Sequence, residues 1–156
     1  MKHGGDLVAS VLRRHNIKWV FTLCGGHISP ILTACKNIGI QVIGVRHEAT
    51  AVFAADAVSR LSENIGVAVV TAGPGLTNAI TAMKNAQLAQ VPVLILGGAT
   101  ATVLKGRGSL QDIDHFSLAK SVTKLSKSIK RVQKIQSTLE TLICTATSGV
   151  PGPVYL

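Results

Sequence analysis

Leu7, Val8, Val11 and Leu12 recur at helical spacing and predict an amphipathic helix over Gly5–His15, stopped at Asn16. Trp19-Val20-Phe21-Thr22-Leu23 is a short apolar run that ends in Cys24-Gly25-Gly26-His27, the pattern of a strand and its turn. A second helix is expected over Ile28–Lys36, with Pro30 in its tolerant first turn; Gly39 closes it, and Ile40–Val45 is the second strand. Glu48–Leu61 is the third helix, dense in Ala and Val with few charges, so both of its sides are expected to pack against protein. Gly66–Thr71 has the β-branched run of a central strand; it opens into Ala72-Gly73-Pro74-Gly75-Leu76-Thr77-Asn78 and then a helix reaching Ala89. Pro92–Gly98 is the fourth strand. Lys105–Asp112 is a loop with Gly106, Gly108 and Ser109 as hinge or contact residues, and His115–Ala119 is a short helix. A fifth strand lies somewhere in Val122–Ile129. Val132–Thr147 is a final amphipathic helix with Val132, Ile135, Leu139, Leu142 and Ile143 facing inward. After a turn at Ser148–Pro153, Val154-Tyr155-Leu156 begins one more strand.

Strands alternating with helices specify the α/β class: a mainly parallel sheet of five to six strands with helices on both faces. Length agrees with this. A chain of 156 residues fits one domain with a sizeable core, and 47% apolar against 15% charged residues is too apolar for disorder. No apolar run reaches the roughly 20 residues of a membrane-spanning helix, and the start has no hydrophobic signal core. Stopping three residues into an apolar strand suggests a fragment of a longer protein.

The net charge is +9, and half of the basic residues fall after position 100, including Lys120, Lys124, Lys127, Lys130, Arg131 and Lys134 in one acid-free stretch. With one Trp, one Tyr and three Phe there are few platforms for base stacking, which argues against nucleic acid and for a solvated or acid-complementary face. Cys24, Cys35 and Cys144 are odd in number and lack metal-ligand spacing, so no metal site is expected in this chain. They read as three reduced thiols, at least two of them in the core, and place the chain inside the cell in a reducing compartment.

The candidate chemistry sits where strands turn into helices. Glu48, one of only seven acidic residues, stands between the second strand and the third helix, where open α/β sheets place ligands. A carboxylate there is costly unless something pairs with it. It is also what the dipole of an ordinary first helical turn favours. Gly25-Gly26-His27 and Gly73-Pro74-Gly75 reach the same edge of the sheet, and the loop around Gln111 can join them. The alternative is a Rossmann dinucleotide site, against which no G-x-G-x-x-G follows the first strand and Gly73-Pro74-Gly75 lacks the third glycine at the required spacing; no Gly-Lys-Ser/Thr marks a phosphate loop.

Taken together, Gly25-Gly26, Arg46-His47-Glu48-x-x-Ala51-x-x-Ala54-Ala55, Thr71-Ala72-Gly73-Pro74-Gly75-Leu76-Thr77-Asn78, Leu110-Gln111 and Pro151-Gly152-Pro153-Val154 resemble the thiamine-diphosphate enzymes. The resemblance is to their N-terminal pyrimidine-binding (PYR) domain and covers essentially the whole chain. It is nearest to the acetolactate synthase-like proteins and 2-hydroxyacyl-CoA lyases, through the Gly25–Pro30 turn and Arg46-His47-Glu48. It implies residues 1–156 as a single PYR domain truncated at its last strand, with the central and diphosphate-binding domains absent. It implies thiamine diphosphate as cofactor, with Glu48 hydrogen-bonded to the coenzyme's aminopyrimidine and activating it, and Gln111 facing the reacting carbonyl. Gly25, Gly26, His27, Gly73, Pro74, Gly75 and Asn78 are implied as cofactor-binding. Mg²⁺ would be held by the missing C-terminal domain, and any FAD site would lie mostly elsewhere. His27 stands where acetolactate synthases usually have alanine, and Asp112 where they often have glutamate. The paired histidines of pyruvate decarboxylase-type enzymes are missing near Gln111.

The implied partners are the diphosphate-binding domain of a second subunit, in a homodimer or homotetramer, and a small 2-oxo acid or 2-hydroxyacyl-CoA substrate. The chain alone would then be inactive, as half of an active site in a carbon–carbon lyase or synthase. Full-length relatives could attach to the endoplasmic reticulum membrane through a segment outside this chain. The alternative is a non-catalytic α/β interaction module that keeps the fold without the chemistry, against which the presence of both Glu48 and Gln111 speaks.

Overall fold

Two five-residue strands with almost no polar atoms in their side chains form the centre of the molecule. The computed structural model describes residues 3–156. Every residue of Gly66–Val70 (β3) is buried, and so are the first four of Val93–Gly97 (β4). They pair in parallel from Gly66 opposite Val93 to Val70 opposite Gly97. Trp19–Thr22 (β1) flanks β3 and Gln41–Gly44 (β2) forms the outer edge beyond it. On the other side Val154–Tyr155 (β6) inserts between β4 and the two-residue strand Leu125–Ser126 (β5). The order is β2-β1-β3-β4-β6-β5 and every pairing is parallel, so the expected mainly parallel sheet has six strands.

Because strand side chains alternate between faces, β3 feeds two cores at once. Val67 and Val69 join Leu94, Leu96 and Val154 in one cluster, covered by Gly4–Arg14 (α1), Ser29–Asn37 (α2) and Ile135–Thr147 (α7). Ala68, Val70, Val93 and Ile95 join the other, covered by Glu48–Leu61 (α3), Pro74–Thr77 (α4), Ile80–Leu88 (α5) and His115–Lys120 (α6). Two apolar faces on one sheet explain the continuous apolar runs. Among the described residues no helix is long and apolar enough to cross a membrane.

Four expectations need correction. The helix expected to run unbroken to Ala89 is two helices, because α4 ends at Thr77 and α5 begins at Ile80. Val132 is 52% exposed: it belongs to a separate 3₁₀ turn, Val132–Lys134, and so falls out of phase with the Leu139, Leu142, Ile143 and Ala146 stripe of α7. Only Cys35 is buried. Cys24 lies beyond the end of β1 and Cys144 points away from the buried stripe of α7, and both are exposed. Finally, α3 packs on one side only; it buries Glu48, Ala51, Val52, Ala55 and Asp56 and leaves Phe53 43% exposed. Its alanine content made it read as two-sided, but α3 is an outer layer with the sheet beneath it.

Candidate functional site

The chain leaves the neighbouring strands β1 and β3 in opposite directions. From β1 it passes through α2, on one face, to β2 at the edge. From β3 it passes through α4 and α5, on the other face, to β4. The turns that follow β1 and β3 therefore diverge and leave a crevice at the carboxyl ends of the strands, where ligands of open α/β sheets bind.

Thr71, the residue after β3, holds the two glycine turns together. A Cβ at Gly25 would stand 2.5 Å from its Oγ1, and one at Gly75 2.8 Å from its Cγ2. His27 Nδ1 lies 3.3 Å from the same hydroxyl oxygen. A Cβ at Gly98 would meet the His27 Cβ at 2.6 Å, so the turn after β1 lies across the ends of both β3 and β4. Gly26 is exposed and has nothing within 4 Å of its Cβ position, which leaves its side of the turn open to a ligand.

At Gly73 the backbone takes φ 64° and ψ −117°, a conformation that L side chains rarely enter. Gln111 fills the place a side chain would need: its Cβ is 2.7 Å and its Cα 2.8 Å from an ideal Gly73 Cβ. Gln111 itself has φ 70°, left-handed for a residue that pays a steric cost there. The Gly73 N–H donates to His115 Nε2 at 2.7 Å. Burial, and then the charge of Lys105, hold the His115 imidazole below its ordinary 6.5, with His27 adding to this and Asp112 and Asp114 opposing it. A neutral ring suits the bond, since Nε2 must be unprotonated to accept it.

Glu48 is the first residue of α3, behind His47, whose Nδ1 accepts the Ala49 N–H at 3.1 Å. Only 4% of Glu48 is exposed. Asn78 Nδ2 donates to its Oε2 at 3.0 Å. Its other oxygen, Oε1, has no hydrogen-bond partner among the described residues and is not sealed from the surface. No ion pair reaches the carboxyl group among the described residues.

The expected site residues thus fall into two groups joined by one segment. Gly25, Gly26, His27, Gly73, Gly75 and Gln111 gather around Thr71; Glu48 meets Asn78; Pro74 starts α4 between them. Glu48 and Gln111 meet opposite ends of residues 73–78 and share no hydrogen bond. Thr71 and His115 had no assigned role in the sequence reading. Thr71 stands in the same Thr-Ala-Gly-Pro-Gly run, which was the available signal; the His115 bond spans 42 residues and had none.

The sequence profile of the family described as "Thiamine pyrophosphate enzyme, N-terminal TPP binding domain" matches residues 2–118. The chain belongs to this family. Among individual proteins it is similar to the 2-hydroxyacyl-CoA lyase 2 of Danio rerio, 59% identical over 99% of this chain and 25% of that protein. It is 56% identical to the 2-hydroxyacyl-CoA lyase 2 of Homo sapiens over 100% of this chain and 25% of that protein. Acetolactate synthase large subunit IlvG of Mycobacterium tuberculosis is 38% identical over 99% of this chain and 28% of its own length. The chain spans about a quarter of the length of these curated relatives.

Family membership implies thiamine diphosphate, and the residues present fit its pyrimidine end. A flat ring carrying nitrogen donors and acceptors needs an accessible carboxylate oxygen on an apolar wall. Glu48 Oε1 is such an oxygen: it is without a partner, and the Asn78 amide holds the other oxygen in place. At Gly25, Gly73 and Gly75 the side-chain place is taken by Thr71 or Gln111, and Gly26 leaves open space beside the crevice.

Proposed function

We propose that this chain is the PYR domain of a thiamine-diphosphate-dependent carbon–carbon lyase or synthase acting on a 2-hydroxyacyl-CoA or a 2-oxo acid. The observation that carries the reading is the buried Glu48 carboxyl with Asn78 on Oε2 and nothing on Oε1. With Oε2 held by Asn78 and Oε1 open to the surface, the carboxyl is fixed in place to accept a ligand's donor. The coenzyme, when bound, supplies the nucleophilic carbon that attacks the carbonyl.

The chain's own residues do the rest. Glu48 Oε1 would hold or give up a proton at a ring nitrogen of the coenzyme, and Asn78 keeps the carboxyl from rotating away. The open backbone at Gly26 would admit the ring. Gln111, fixed against Gly73, offers an amide to the polarised carbonyl oxygen of the substrate. We assign the diphosphate, with Mg²⁺, to a diphosphate-binding domain of a second subunit in a homo-oligomer, so that this chain alone is inactive. The relatives' names support the substrate class, and the two exposed free thiols, Cys24 and Cys144, suit a reducing compartment.

The test is Glu48→Gln in the protein at its natural full length. Gln keeps the shape and removes the proton exchange, so turnover should fall by on the order of 10²–10⁴-fold while coenzyme binding, followed by calorimetry, persists. Turnover equal to wild type in that variant would overturn the reading.

A further inference from the structure

A second opening lies at the carboxyl ends of β4, β6 and β5, about 340 Å³ in volume. That is within the range of small-ligand sites, roughly 300–1,000 Å³. Its floor is apolar, built by Val8 of α1, Ile31 of α2, Leu96 of β4 and Ile135 of α7. Its rim is basic: Lys105, Lys127, Lys130 and Arg131 line it, and none of the four has an ion-pair partner among the described residues. Asp114 also lies on the wall, but its carboxylate is turned into α6, where Ser117 Oγ (2.5 Å) and Ser117 N–H (3.1 Å) donate to it.

Tyr155 supplies an independent sign that a ligand belongs there. It lines the opening and is only 4% exposed, yet its hydroxyl makes no hydrogen bond among the described residues. The ring reaches this place because Gly97 has no side chain; a Cβ there would fall on the hydroxyl oxygen. Burial raises the phenol above its ordinary value, so the oxygen stays protonated and is a donor in need of an acceptor. The hydroxyl is not sealed from the surface, so it can donate to a ligand in the opening, and an anionic oxygen is the strongest acceptor for it.

We propose that this opening binds a small carboxylate with an apolar tail, the carboxylate taking the Tyr155 hydroxyl and the Lys130–Arg131 rim while the tail lies on the Val8, Ile31, Leu96 and Ile135 floor. The assignment rests on these residues alone and does not depend on the coenzyme reading. His115 forms part of the same wall, and its Nε2 holds the Gly73 N–H. The ligand and the glycine turn therefore share one side chain.

Octanoate is the probe, titrated by calorimetry into the coenzyme-free protein at its natural full length. Binding should be saturable at one site per chain. Octanol, which keeps the tail and loses the charge, should bind at least about tenfold more weakly. Tyr155→Phe keeps the ring over Gly97 and removes only the donor; it should weaken octanoate by about tenfold with the melting temperature preserved. The triple variant Lys127→Gln, Lys130→Gln, Arg131→Gln should weaken it as well and flatten its dependence on salt. No saturable binding at full length would overturn the assignment, as it would if the opening were filled by the protein's own chain. Equal affinity in both variants would also overturn it, and so would displacement of octanoate by inorganic phosphate at equal concentration, the mark of a bare anion patch.

Discussion

Replacing Gly73 by alanine tests the joint on which both halves of the candidate site depend. The residue has φ 64° and ψ −117°, and an added Cβ would be 2.7 Å from the Cβ and 2.8 Å from the Cα of Gln111. Two separable penalties follow. Holding an L residue in a sparsely populated backbone region costs on the order of 1–3 kcal/mol. Forcing a methyl into a filled place costs about 1–3 kcal/mol more, because one of the contacting atoms is backbone and cannot swing aside. Together Gly73→Ala should lose about 4 kcal/mol, a large share of the roughly 5–15 kcal/mol that holds a domain folded.

Gly106→Ala separates the two penalties. Gly106 has a similar φ of 71° but nothing within 4 Å of its Cβ position, so only the backbone cost of about 1 kcal/mol applies. A third variant, Gly73→Ala with Gln111→Gly, removes the Gln111 Cβ and also relieves the left-handed φ at 111. It should recover part of the loss, with a coupling of about 0.5–3 kcal/mol. Urea unfolding gives the free energies. The melting temperature should drop by on the order of 10 °C for Gly73→Ala, at about 2–4 °C per kcal/mol for a chain of this size. If Gly73→Ala is no worse than Gly106→Ala, or if the double variant shows no coupling, the packing of Gly73 on Gln111 is not what positions this turn.

Two further predictions concern titration. Because the folded-state value of His115 lies below 6.5, the unfolded chain binds the extra proton first. The stability linked to His115 should be complete above pH 6.5 and fall as pH drops below it towards the lowered value. Urea unfolding at a series of pH values should show that slope in the wild type and not in His115→Gln, which still offers an acceptor to the Gly73 N–H; identical slopes would refute it. The Cys35 thiol is pushed by burial to about 11 and is inaccessible, whereas Cys24 and Cys144 are exposed. A thiol reagent near neutral pH should therefore modify two of the three cysteines in the native protein and Cys35 only after unfolding, as mass spectrometry of the labelled peptides would report.

Local patterns made the strands legible, since each core strand is an unbroken apolar run bounded by glycine or proline. They also put Glu48 at a strand-to-helix turn. The failures have a common cause in long-range packing. The two-residue strands β5 and β6 fall within the segments expected for them, but the slotting of β6 between β4 and β5 joins segments some 30 residues apart and no local run encodes it. Val132 kept helical spacing with α7 but stands in a 3₁₀ turn whose tighter pitch turns it to solvent. The cysteines were assigned to the core on average behaviour, and only position relative to the buried stripe decides Cys144. The Asn78–Glu48 pair lies across 30 residues and joins two helices on one face of the sheet, so each partner was legible and the bond was not.

The two ends of the sheet are completed differently, although left-handed residues stand at both: Asn16 and Gln90 at the amino end and Gln111 at the carboxyl end. At the amino end, Ser59 Oγ accepts the Gly66 N–H at 2.7 Å and donates to the Pro92 carbonyl at 2.5 Å, so α3, β3 and β4 are locked by satisfied groups. At the carboxyl end, Gln111 holds a left-handed φ, Glu48 keeps an oxygen without a partner, and Thr100, just past β4, buries a hydroxyl that bonds to nothing among the described residues. The left-handed Gln111 and the buried Thr100 hydroxyl each cost on the order of 1–3 kcal/mol, and a domain selected for stability alone would shed the second by Thr100→Val. What sets the carboxyl end apart is its unpartnered polar atoms, the open Glu48 oxygen and the buried Thr100 hydroxyl, on the edge where ligands of open α/β sheets bind.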